Sequence, residues 1–187
     1  MRLRQPDPTT CGSACLVRLA MLRDPELAAT LGEDPAGFAS YALAVHRGTN
    51  SWRDPAGRVQ VPWPRALGTT PWALARAWPT PTRVRAERRT GAGDLLARLH
   101  DDVAAGPVAL YLGTRWLPRH VVLVHGTTRG ALRCYEPSAG LDVEVPLTPA
   151  DPARPLPGLG RFQVPWFTLG APARPPERRT SRRRTAG

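Results

Sequence analysis

Gln5-Pro-Asp-Pro-Thr-Thr-Cys11-Gly-Ser-Ala-Cys15 is a polar, proline-rich approach that turns into a helix at a cysteine. Thr9 or Thr10 can serve as N-cap, and Cys15, Leu16, Leu19, Ala20 and Leu22 then recur at helical spacing, so the helix has a face to bury. A helix start places unpaired backbone N–H groups and the positive end of the helix dipole beside the Cys11 sulfur, which favours a thiolate. Gly12 leaves room for a substrate carbonyl near those groups. The opposing reading, a buried cysteine acting as a small hydrophobe, fits poorly with the polar residues around it.

Outward from this stretch the chain runs through helices into a sheet. The first helix fades at Asp24-Pro25, and further helices are predicted over roughly 36–45 and 71–78, Pro71 suiting a first helical position. Between them lies a long Gly/Pro/Trp-rich loop, 47–65, of a kind often functional. A fourth helix, 94–105, carries Leu95, Leu96, Leu99 and Val103 on one face and stops at Gly106. The period then changes. Strands are predicted over 107–113, 120–124, 132–136 and 143–145, with a hairpin turn at 127–130 and an edge strand within 162–169. Helices first and an antiparallel sheet second is an α+β pattern.

Composition narrows the function. The 187 residues, 42% of them apolar, suit one domain over 1–170, followed by an Arg/Pro-rich tail, 171–187, without apolar periodicity and expected to be disordered. The net charge of +11 would suggest nucleic acid, but all 26 basic residues are arginine, which reads as coding bias, and most are scattered outside the tail and 83–89. Weak electrostatic contact of the tail with acidic partners is the expectation. No apolar run approaches the ~18 residues of a membrane span, and the N-terminus lacks a signal-like apolar stretch. Three cysteines argue against a disulfide framework and, with the missing signal, suggest a cytoplasmic protein.

Four histidines compete to be the base. His100 belongs on a solvent face and His46 at a helix end, where it can interact with the C-terminus. His120 opens the apolar run His120-Val-Val-Leu-Val124 next to a loop and can reach a cleft, whereas His125 ends the run on the opposite face and is read as structural. The hairpin returns Glu136 towards the start of the His120 strand, where a carboxylate can fix the imidazole tautomer, with Asp142 as competitor. Gln5 would offer its amide to an oxyanion. Cys15, one turn after Cys11, is expected to pack beneath it. A zinc site is disfavoured because no second close ligand pair exists, so neither metal nor cofactor is expected. Trp116 is the tryptophan expected to border a substrate groove.

These residues resemble the papain-like cysteine peptidases that process bacteriocins at double-glycine leaders, and their stand-alone relatives. The motifs are Gln5, Cys11-Gly-Ser-Ala14, Gly106-Pro-Val108, His120-Val-Val-Leu-Val124 and Glu136-Pro-Ser-Ala-Gly140, in family order over roughly residues 3–146. Thr10 stands where the family has Asp, and Glu136 also replaces a usual Asp. The resemblance implies a papain-like fold, with Cys11 as nucleophile, His120 as base, Glu136 orienting it and Gln5 in the oxyanion hole. A peptide or protein would be the substrate. The rival readings are an inactive peptidase-like binding module, an amide or acyl transferase on the same scaffold, and a nucleic-acid-binding protein.

Overall fold

The computed structural model describes residues 2–54, 57–60, 68–151 and 154–171. Five helices, α1 (Cys11–Arg23), α2 (Pro25–Gly32), α3 (Pro35–Thr49), α4 (Pro71–Ala77) and α5 (Ala92–Val103), accompany one antiparallel sheet. Its strands are β1 (Arg83–Ala86), β2 (Val108–Gly113), β3 (Pro118–Thr128), β4 (Ala131–Glu136), β5 (Leu141–Pro146) and β6 (Val164–Gly170), in the spatial order β1-β6-β2-β3-β4-β5. The fold is α+β.

Alternation along the central strands divides the core in two. Ala109, Tyr111, Val121, Leu123 and Tyr135 face α1, α3 and α4, with Phe38 packed edge-on against Tyr135. Leu110, Leu112, Val122, Val124, Leu132 and Cys134 face Leu95, Leu96 and Leu99 of α5 and Leu156 and Leu159 of the connection to β6. Each buried Leu, Val or Phe among them contributes ~1.5–3 kcal/mol. The sheet is therefore sandwiched, with α5 on the face opposite the N-terminal helices, rather than covered on one side.

Four sequence expectations change. Asp24-Pro25 ends α1 but also starts α2: Asp24 accepts hydrogen bonds from the N–H groups of Glu26 and Leu27, and Pro25 takes the first helical position. The 83–89 basic run contains the short strand β1, which pairs with β6. That pairing makes β6 an interior strand between β1 and β2, not an edge. The expected loop 47–65 begins only after α3 ends at Thr49, and its described part holds an Arg53–Val59 bridge. Ala171 apart, the tail lies outside the described residues.

Candidate active site

The antiparallel β3–β4 register pairs Leu123 with Tyr135, which sets Glu136 diagonally opposite His120 on the same strand ends. His120 Nε2 lies 2.6 Å from Glu136 Oε1. The longer Glu side chain thus reaches the ring without difficulty. Its carboxylate is also held from below, by Ser138 N–H on Oε1 at 3.1 Å and Ala139 N–H on Oε2 at 2.6 Å. Burial raises the carboxyl pKa, but the His120 contact and these two turn N–H groups outweigh it and hold Glu136 below the usual range.

Cys11 acts on the same ring. Cys11 opens α1 close enough to the ring to act on the His120 ionisation, and with Nε2 committed to Glu136 the nitrogen left for a partner is Nδ1. Burial alone would lower the His120 pKa, but the interactions with Cys11 and Glu136 and their charges raise it to about 9. All three side chains are 3–6% exposed, so solvent screens the cluster weakly. No side chain caps α1: the Thr10 hydroxyl donates to the Asp7 carbonyl at 2.9 Å instead, and the first-turn N–H groups of the helix keep their partial positive charge beside Cys11.

Gln5 is tied by backbone pairing to the turn that follows Glu136. Leu3 N–H donates to Gly140 O at 3.0 Å and Gln5 N–H to Pro137 O at 2.9 Å, so the N-terminal segment runs along the turn that carries Glu136. The Gln5 amide donates to Asp7 O at 2.8 Å, leaving its second N–H free, and its buried Oε1 has no partner. Gly140 makes this approach possible: its φ is +70°, and a Cβ there would stand 2.7 Å from Arg4 N. Gly12 has a different role from the one expected. A Cβ on it would meet Thr69 Cβ at 3.0 Å, so glycine admits Thr69 rather than holding space for a substrate.

The competing residues are elsewhere. Asp142 pairs with His125 Nε2 at 3.1 Å and Arg18 at 3.0 Å, tying β5 and β3 to α1, and it does not contact His120. His100 is exposed on α5. His46 is buried in α3 beside Asn50, whose Nδ2 lies 3.1 Å from His46 Nδ1. The sequence reading places His46 at a helix end without this partner; Asn50, the C-cap residue four positions on, was the available signal. Cys15 is fully buried with its thiol 3.6 Å from Val121 O, and burial pushes its pKa well up, with Cys11 and Glu136 adding to it. Burial likewise pushes Cys134 up to about 12. Trp116 is 70% exposed at the tip of the β2–β3 turn, just before His120.

Among the described residues no group of three or more His, Cys, Asp or Glu is arranged to hold a metal ion, and no helix is long and apolar enough to cross a membrane. The helical layer also carries an open, mostly apolar groove of about 680 Å³ bordered by Leu16, Leu19, Leu27, Tyr41, Val45 and Ala77. No family model matches this chain, and no curated protein matches it in sequence.

Proposed function

We propose that the chain is a papain-like cysteine peptidase that hydrolyses a peptide or amide bond. The observation that carries this reading is the buried ring of His120, held by Glu136 at one nitrogen and within electrostatic reach of the Cys11 thiol, where an uncapped helix begins. A thiolate paired with an imidazolium is the nucleophile. It attacks the carbonyl carbon, the C=O π pair moves to oxygen, and the oxyanion is met by the free Gln5 N–H and the Cys11 backbone N–H. Collapse expels the amine, which takes the proton from His120 and leaves a thioester. Water, deprotonated by the now neutral His120, then attacks the thioester and releases the acid and the thiolate.

Cys11→Ala is expected to abolish turnover on a peptide library. Limiting iodoacetamide near neutral pH should label Cys11 alone, because Cys15 and Cys134 are buried with raised pKa values. Intact turnover in Cys11→Ala, or preferential labelling of either other thiol, overturns the proposal. Strong Cys11 labelling with no turnover on any peptide or amide favours a binding or transfer role for the same site.

A further inference from the structure

At the His120 end of the sheet the surface is cationic and aromatic. The β2–β3 turn is fixed by Thr114, whose hydroxyl accepts the N–H groups of Trp116 and Leu117 at 3.2 Å each, and by Trp166 of β6, whose indole donates to Thr114 O at 2.8 Å. This turn holds Trp116 in solvent with the Arg115 guanidinium 4.5 Å from its ring centre. On the other flank Phe162 lies 6.4 Å from the His120 ring, and Arg161 sits 4.9 Å over Phe162. Arg119 adjoins His120 in the chain and is exposed.

Arg115, Arg119 and Arg161 form no ion pair among the described residues. The carboxylates on the neighbouring strand ends cannot neutralise them, because Glu136 holds His120 and its own turn, and Asp142 is bonded to His125 and Arg18. Three guanidinium groups without an ion pair, two stacked on aromatic rings that restrict their motion, thus lie in the segments that flank His120: the β2–β3 turn, the start of β3 and the approach to β6. In the hydrolysis proposed above, the departing amine must receive its proton from His120. The leaving portion of the substrate therefore lies on this side of the site.

We infer that this arginine–aromatic rim takes acidic peptide sequence, so that the substrate carries Asp or Glu within the few residues following the scissile bond. The inference rests on the hydrolase reading for its sidedness, while the charge preference stands on the rim itself. Exposed ion pairs are individually weak and screened by salt, so selection comes from several together. Trp116 adds apolar area beside them.

The test separates the two parts. Full-length Cys11→Ala protein is titrated into a fluorescein-labelled peptide of alternating Glu and Gly, and into its Gln-for-Glu counterpart. The acidic peptide should bind about tenfold more tightly at low salt. That preference should fall to about twofold in a background of Arg115→Gln, Arg119→Gln and Arg161→Gln, and Trp116→Ala should weaken binding several-fold. The basic tail is present in every protein compared, so the difference reports the rim. An acidic preference unchanged by the triple variant overturns the proposal. So does a single-stranded oligonucleotide of equal charge that binds more tightly and depends on the same arginines. Cleavage-site profiling of a peptide library by the otherwise unaltered protein then reads sidedness: Asp and Glu should be enriched after the scissile bond, and enrichment before it overturns the assignment. Absence of cleavage counts against the hydrolase, whereas the binding series decides the rim alone. Unchanged iodoacetamide labelling of Cys11 in the same three-arginine variant prepared with Cys11 retained shows that its site is intact.

Discussion

Glu136 does two jobs with two oxygens, and a glutamine can do only part of them. Oε1 accepts from His120 and Ser138, and Oε2 accepts from Ala139. In Glu136→Gln one of these N–H donors must face an amide NH2, a buried mismatch that costs ~1–3 kcal/mol. The variant should fold with a lower thermal midpoint and lose about a hundredfold or more in kcat, since a neutral amide stabilises the imidazolium poorly. Its pH profile should also move. His120 is raised from 6.5 to about 9, so its protonated form contributes stability fully below pH 6.5, and that contribution is lost as pH rises through about 9. An alkaline limb of kcat/KM near pH 9, accompanied by a falling thermal midpoint, is the expected signature. Without the Glu136 charge the limb should shift down by ~1 pH unit or more. Asp142→Asn gives the contrast: it breaks an outlying His125–Arg18 bridge, so kcat should stay within about twofold while stability drops by ~1 kcal/mol or less. Reversal of the two results would transfer the orienting role to Asp142.

Gly140 links the turn after β4 to the N-terminal segment, and through it Gln5 to the rest of the site. Gly140→Ala would force a Cβ to within 2.7 Å of Arg4 N at a φ of +70°. We expect a loss of ~2 kcal/mol or more and a kcat decrease of at least tenfold as Gln5 is displaced, measured by denaturant unfolding and steady-state kinetics. Thermal stability and turnover equal to the parent protein would show that the segment is not held this way. Elements like α1, α5 and β3 are legible in the sequence because their apolar residues recur at the spacing of one element over several turns or residues. The Asp24-Pro25 break was visible too, but a proline after a capping residue starts a helix as well as ending one. β1 was hidden because four residues alternating with arginine look like a solvated charge run until β6 is seen beside them. The candidate site divides the same way. Cys11, His120 and Glu136 are marked by local pattern, whereas the Thr69 contact that requires Gly12, and the Thr10 hydroxyl turned to Asp7, depend on chain segments meeting in space.

Across the whole molecule, the order β1-β6-β2-β3-β4-β5 makes the last described strand a central support. β6 pairs with β2 and β1 at once, contributes Leu169 to the core beneath α1, and sends Thr168 to the buried Glu87, whose carboxylate also holds Thr90 and Arg98. Chain removal should therefore have a sharp boundary. Deleting 172–187 takes away no residue of the described core, so the thermal midpoint should shift by no more than about 1 °C and turnover should be unchanged. Retention on DNA or another polyanion should fall, and the difference should vanish as salt rises, because the removed segment is rich in arginine. Deleting from Val164 onward exposes edges of β1 and β2 and leaves Glu87 without Thr168, so that protein should fail to fold. The measurement is a truncation pair compared by thermal melt, Cys11 alkylation and turnover. Loss of folding in the shorter deletion would mean that the basic tail is itself part of the packed molecule, and polyanion binding that survives its removal would place the charge that matters on the domain.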